Sequence, residues 1–299
     1  MILITGGNGQ LGTELRHLLD ERGVKYFAAD VNELDITDKA AVDAFFDENK
    51  PELVYHCAAY TAVDKAEDEG KALNEKINVD GTRNVANAAA RVDATLVYIS
   101  TDYVFNGDLP VGQEWEVDAP IDPQSEYGRT KRLGEVAVEE SGVKFYIVRT
   151  AWVFGNYGHN FVFTMQNLAK THETLTVVND QHGRPTWTRT LAEFLVYLVD
   201  NNVNLGYYHL TNDAAPEEDV TWFDFATEIL KDTDTKVTPV DSSAFAAKAK
   251  RPFNSTMSLK KTKATGFVVP TWQEALALMI GKGDLRPDKT GVKGDINKK

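Results

Sequence analysis

The chain has 299 residues, 42% hydrophobic and 26% charged, enough for one large α/β domain or two lobes. Its formal charge of −13 argues against a nucleic-acid or anionic-membrane surface, so an anionic ligand has to be met by a few local cations. The lone cysteine, Cys57, excludes a disulfide framework and a cysteine-rich metal centre, and there is no apolar run of roughly 18 residues to span a membrane.

In chain order, residues 1–5 form a short apolar run that reads as a buried strand, followed at once by Gly6-Gly7-Asn8-Gly9-Gln10-Leu11-Gly12 and a helical stretch. Glycines at 6, 9 and 12 suit a tight turn, close approach of a pyrophosphate and close helix–strand packing. The free amides and positive end of the helix then favour a diphosphate. An ordinary βα turn that happens to need glycine is the plain alternative. Because the N-terminus enters this strand without a basic-then-apolar leader, a cytoplasmic protein is expected.

Residues 25–30 read as a second strand ending in Asp30, a carboxylate placed either for an adenosine ribose or simply as a strand-end residue. Asp38 or Thr37 can cap a helix over 39–48. A third buried strand covers 53–59, in which His56 and Cys57 read as core residues, while small Ala58 and Ala59 leave room for a cofactor. A helix is expected over 74–91, a strand over 95–100, a polar loop to about 125, a helix over 126–141 and a strand over 144–149. Short apolar strands alternating with helices predict an α/β fold, a Rossmann-type doubly wound parallel sheet.

Beyond Thr150 the alternation loosens into helices at 161–170, 190–200 and 222–232 and a strand at 206–211. This divides the chain into a dinucleotide-binding domain over 1–150, completed by segments near 187–212, a smaller substrate-binding lobe over 151–281, and a polar tail over 282–299.

Tyr127 and Lys131 stand four residues apart on one face of the helix that follows a strand ending in Ser100-Thr101. An ammonium near a phenol lowers its pKa, and such a tyrosine can exchange a proton with a carbonyl oxygen. A hydroxyl at position 101 can hydrogen-bond the same carbonyl.

Together with residues 57–67 (Cys-Ala-Ala-Tyr-Thr-Ala-Val-Asp-Lys-Ala-Glu), Ile77-Asn78, residues 100–105 (Ser-Thr-Asp-Tyr-Val-Phe), residues 149–155, residues 180–186 and residues 251–255, these motifs resemble the dTDP-4-dehydrorhamnose reductase family of extended short-chain dehydrogenase/reductases, over residues 1 to about 280. The resemblance implies reduction of the 4-keto group of dTDP-4-dehydro-L-rhamnose by NADPH or NADH, in dTDP-rhamnose biosynthesis. Tyr127 is then the acid, Lys131 holds the nicotinamide ribose, and Thr101 polarises the ketone. Gly6, Gly9, Gln10, Leu11 and Gly12 would line the pyrophosphate, Asp30 the ribose, Asp35 and Ile36 the adenine, and Ala58, Ala59 and Tyr60 the middle of the cofactor. Val104, Trp152 and Asn160 match substrate-lining positions. Arg251 is the candidate for the nucleotide diphosphate, since its fork suits phosphate. No metal is assigned, because no ligand cluster has convincing spacing. The expected partner is the nucleotide sugar, with no nucleic acid and no membrane, in a monomer or homodimer.

Asp30 favours NADH by repelling a 2′-phosphate, whereas the resemblance leans to NADPH. Two other readings share the fold. A nucleotide-sugar epimerase or dehydratase is weakened by Asp102-Tyr103 where a dehydratase usually carries an Asp-Glu pair. A non-catalytic cofactor-binding regulatory subunit is opposed by intact Thr101, Tyr127 and Lys131.

Overall fold

The computed structural model describes residues 1–215 and 218–282. In its first half, β1 (Ile2–Thr5), α1 (Gln10–Glu21), β2 (Tyr26–Ala29), α2 (Lys39–Asn49), β3 (Leu53–His56), two short helices α3 (Val63–Ala66) and α4 (Lys71–Glu75), α5 (Thr82–Arg91), β4 (Thr95–Thr101), α6 (Glu126–Glu140) and β5 (Lys144–Thr150) follow one another. The second half contains β6 (Val153–Phe154), α7 (Phe161–Ala169), β7 (Thr174–Val178), β8 (Thr186–Trp187), α8 (Thr188–Asp200), β9 (Gly206–His209), α9 (Trp222–Leu230), β10 (Lys236–Val240), α10 (Lys260–Ala264) and α11 (Trp272–Lys282).

Six strands form one sheet in the order β2-β1-β3-β4-β5-β9, and every neighbouring pair is parallel. The fold is the expected Rossmann-like α/β arrangement. Its strands are continuous apolar runs because both faces are covered. Leu3, Val54, Leu96, Tyr98 and Ile147 point to one side, against Val42 and Phe46 of α2, Val85 and Ala89 of α5 and Val138 of α6. Ile4, Tyr55, Val97, Tyr146 and Val148 point to the other, against Leu11, Leu15 and Leu18 of α1 and Leu191, Phe194 and Leu195 of α8. After β1 the chain first pairs outward with β2 and then crosses to β3, so the strand order reverses between β1 and β3. Such a switch point opens a crevice at the carboxyl ends of the strands.

The helix expected over 74–91 is interrupted. Lys76–Gly81 forms a π-helical turn between α4 and α5, a local widening that often marks a functional site. Apart from the large sheet lies another hydrophobic cluster, in which Phe154, Phe163, Leu175, Phe225, Trp272 and Leu276 meet, beside a two-stranded parallel sheet of β7 and β10. From between these segments α8 and β9 return to the large sheet. Helix α11 extends to Lys282, the first residue of the expected tail; the rest of that tail lies outside the described residues. Among the described residues no helix is long and apolar enough to cross a membrane.

Candidate active site

The glycine turn is built as its spacing predicts. Gly6 has φ +66°, and a Cβ there would lie 2.6 Å from the Ala58 nitrogen; one on Gly12 would lie 2.2 Å from the Gly6 carbonyl oxygen. Gly9 caps α1 with extended backbone and no capping side chain, which leaves the first-turn amides for an anionic group. Beside this turn is a groove of about 350 Å³ lined by Gly6, Gly9, Asp30, Asp35, Ile36, Ala58 and Ala59. Seven of the expected cofactor residues therefore share one groove whose glycine floor fits a dinucleotide.

The other expected cofactor residues contribute differently. Gln10 lies against Gly158 with its amide oxygen buried and unbonded. Leu11 is a core side chain and offers only its backbone. Tyr60 is gripped through its main chain, because Asn78 Oδ1 accepts its N–H at 2.8 Å and Asn78 Nδ2 donates to its carbonyl at 3.0 Å. Asn78 also donates to Asn74, which accepts from Thr130 of α6. The π-helical turn thus ties the groove wall to the helix that carries Tyr127. Cys57 was expected in the core but is half-buried and lines the groove, because its strand ends one residue earlier. His56 is a core residue as expected, with Thr5 and Thr82 hydroxyls at its two ring nitrogens.

At the ribose end, Asp30 accepts from the Asn8 and Val31 amides at 3.2 and 2.8 Å. The Arg16 guanidinium donates to the Gly7 carbonyl and the Asn8 side chain. Carboxylate and guanidinium thus flank the same turn, one suited to a ribose hydroxyl and the other to a phosphate. Lys39 is turned away and pairs with Asp43.

The catalytic candidates converge where β4 ends. The Thr101 hydroxyl donates to Asp102 Oδ1 at 2.9 Å and accepts the Tyr103 amide at 3.2 Å. Tyr127, in the first turn of α6, packs edge-on against Tyr103 with ring centres 5.5 Å apart. Burial, reinforced by the Asp102 carboxylate, pushes the Tyr127 phenol above its ordinary range, and the Thr101 hydroxyl opposes the shift. Burial also lifts Asp102 to about 6, against the donation from Thr101, and brings Lys131 down to about 7, against the pull of Glu135 and Cys57. Lys131 donates to the Ile99 carbonyl at 2.7 Å. The expected lowering of the tyrosine by the lysine is therefore corrected. Desolvation dominates, the ammonium is turned to a carbonyl of β4, and the phenol keeps its proton.

Against this point opens a second cavity of about 720 Å³, whose walls include Asp64, Asp102, Trp152, Phe161, Trp222 and Arg251. Trp152 takes φ +48°, uncommon for a side chain of its size, and stacks on Trp222 with centres 3.9 Å apart and planes 17° apart. Arg251 grips Asp64 through both terminal nitrogens, at 3.1 and 2.8 Å. Two expected substrate-lining residues are not among the side chains that wall this cavity. Val104 is wholly buried beside Phe105 and Met257, because the 3₁₀ turn after Thr101 rotates Tyr103, not Val104, toward the cavity. Asn160 caps α7, accepting from the Phe163 amide and donating to the Gly155 carbonyl, and Phe161 lines the cavity in its stead. Asp102 and Trp222 line the cavity beyond the residues the sequence points to. The first carried a signal in its place beside Thr101; the second reads from sequence only as an aromatic at a helix start.

A family model described as the RmlD substrate binding domain matches residues 1–284. A dTDP-4-dehydrorhamnose reductase of Streptomyces griseus is 42% identical over 286 residues, covering 92% of this chain and 91% of its own. The chain belongs to the dTDP-4-dehydrorhamnose reductase family. Two solved structures of such reductases superpose closely. The one from Clostridium acetobutylicum has a TM-score of 0.89 at 44% identity and covers 94% of this chain and 98% of its own. The one from Bacillus anthracis, in complex with NADP, has a TM-score of 0.88 at 39% identity with the same coverage. Groove and cavity both lie inside the stretch matched to this reductase family, which makes the chain an oxidoreductase of the nicotinamide-dependent kind.

Proposed function

We propose that the chain reduces the 4-keto group of dTDP-4-dehydro-L-rhamnose to dTDP-L-rhamnose, with NADPH or NADH as reductant. The observation that carries this reading is that Thr101 and Tyr127 adjoin Asp102 and Tyr103 of the aromatic cavity, while Lys131, one turn further along α6, adjoins Cys57 of the glycine-floored groove. Family membership supports the reaction, and the NADP in the Bacillus anthracis structure supports the cofactor class.

In this reading Gly6, Gly9, Gln10, Leu11 and Gly12 hold the pyrophosphate, Asp30 the adenosine ribose, Asp35 and Ile36 the adenine, and Ala58, Ala59 and Tyr60 the middle of the cofactor. The bound nicotinamide supplies the hydride that reaches the ketone carbon. Tyr127 delivers the proton to the ketone oxygen, a role suited to a phenol that burial keeps protonated. Thr101 donates to the same oxygen, giving up its bond to Asp102 to do so. Lys131 holds the nicotinamide ribose. Trp152 and Trp222 form the wall against the sugar, and Arg251 meets the diphosphate with the donor hydrogens that Asp64 leaves free.

The partner is the nucleotide sugar, and the protein works in the cytoplasm as a monomer or homodimer. The decisive experiment follows the ultraviolet absorbance of reduced nicotinamide with dTDP-4-dehydro-L-rhamnose, using NADPH and NADH in parallel. Oxidation that requires the keto sugar supports the reading. Cofactor binding without turnover would instead favour a regulatory subunit.

A further inference from the structure

Lys131 occupies an unusual place for a cation. Its side chain is 3% exposed, and no ion pair to it occurs among the described residues. The charged and titratable groups around it are all committed or neutral. On α6, Glu135 is held by Arg149 at 2.8 and 3.0 Å and by Arg132 at 2.9 Å, and Tyr127 keeps its proton. On β3, His56 is driven to its neutral form by burial and by the Lys131 charge. At the end of β3, burial pushes the Cys57 thiol up to about 12. With the Glu135 charge acting only from beyond ion-pair distance, the groups in direct contact with the ammonium are the Ile99 carbonyl and one ring. The Lys131 ammonium lies 4.2 Å from the centre of Tyr98, within the range of a cation–π contact, which is strongest when both partners are desolvated.

Tyr98 is fully buried on β4, stacked on His56 with centres 5.6 Å apart. Its hydroxyl fits under Gly134 of α6, where an added Cβ would come within 2.2 Å of it. Gly134 is three residues beyond Lys131, so the ring is keyed to the same helix whose lysine it faces.

We propose that Tyr98 is a positioning residue for the reaction, its ring face keeping the Lys131 ammonium charged and aimed at the cofactor ribose. Tyr98 is buried, lines neither the groove nor the cavity, and acts only through Lys131. An ammonium here needs a counterpart to its lost hydration. The ring supplies one without a carboxylate, whose charge would hold the lysine back from the ribose and raise the tyrosine pKa further.

The inference rests on the proposed reductase reading for its catalytic meaning, but its test reads cofactor binding directly. The full chain is titrated with NADPH by fluorescence at about pH 6 and about pH 8.5, as wild type, Tyr98→Phe and Tyr98→Leu. Tyr98→Phe keeps the ring and should follow the wild-type pH dependence. Tyr98→Leu should bind NADPH about tenfold more weakly than wild type at the higher pH and recover to within about threefold at the lower, where the ammonium reforms without help. A loss equal at both pH values would mean a purely structural role and overturn the proposal, as would an unchanged affinity. Fluorinated phenylalanines at position 98 drain the ring face of negative charge without changing its shape. They cover the case in which the leucine variant does not fold, and should weaken binding at the higher pH in step with fluorine number. No trend across that series would overturn the proposal too. A wild type that binds NADPH but leaves the keto sugar unreduced would refute the reductase reading alone.

Discussion

Replacing Tyr127 with Phe removes one hydroxyl from a ring wedged against Tyr103, so packing survives and the loss is that of the proton donor. General-acid catalysis by a positioned side chain is worth about 10²–10⁴ in rate. The structure places the loss toward the upper end of that range at neutral pH. The neighbouring Thr101 hydroxyl is a poor substitute, being an alcohol already donated to Asp102. Asp102 is the next acid in line, and burial lifts it to about 6. It is largely ionised at pH 7.5 and protonated below about 6, so residual turnover in the variant should climb as the pH is lowered through that value. Rapid-mixing single turnovers, followed by cofactor absorbance from pH 5 to 9, separate this step from product release. NADPH affinity should stay within about threefold of wild type, since Lys131 is anchored on Ile99 independently of the phenol. Turnover within tenfold of wild type at neutral pH would refute the assignment of Tyr127, and a residual rate indifferent to pH would refute that of Asp102.

Arg251→Ala removes a fork that the structure sets into the cavity wall. Charge-assisted hydrogen bonds contribute about 1.5–3 kcal/mol, so KM for the nucleotide sugar should rise ten- to a hundredfold while NADPH affinity is unchanged; steady-state kinetics and a cofactor titration check both. Arg149→Met takes two of the hydrogen bonds from the fully buried Glu135 and leaves it Arg132 as its remaining cation. Breaking such a pair costs about 3–5 kcal/mol, and calorimetry should show a Tm several degrees lower, largely recovered when Glu135→Leu is added.

Much of the architecture was legible because the physics is local. The runs 1–5, 53–56 and 95–101 are apolar without alternation, which only a sheet covered on both faces requires, and the glycines at 6, 9 and 12 answer steric demands that are now visible as close backbone contacts. The cofactor groove followed from the same turn. Legibility failed where position along the chain does not determine direction in space. Val104 and Tyr103 are adjacent, and one 3₁₀ turn decides which of them meets the cavity. Asn160 carried the marks of a polar site residue, yet an asparagine just before a helical run serves equally as a cap, and capping is what it does. The tyrosine–lysine pair was readable as a pair. The direction of its pKa shifts was not, because it depends on how much water is excluded, a property of the assembled walls and not of the spacing.

That exclusion of water has a consequence for stability which separates function from folding. A lysine whose folded pKa is lowered to about 7 by burial is protonated more readily in the unfolded chain, whose reference value is about 10.4. The unfolded state therefore binds more protons between those two values, and stability rises with pH across that window. Below about pH 7 both states carry the ammonium and the folded one bears the whole desolvation cost; above about 10.4 neither does. Tyr98 and the Ile99 carbonyl offset part of this cost without cancelling it. Lys131→Met keeps the length and apolar stem of the side chain and discards the charge. It should therefore raise the Tm at pH 7 by a few degrees while abolishing turnover, and the gain should shrink as the pH is raised toward 10. Thermal unfolding of both proteins across pH 6 to 10 provides the check. A methionine variant less stable than wild type at pH 7 would mean that the ammonium is held by the fold for the fold's own sake. A more stable one would mark Lys131 as a residue the fold carries at a loss, for the reaction alone.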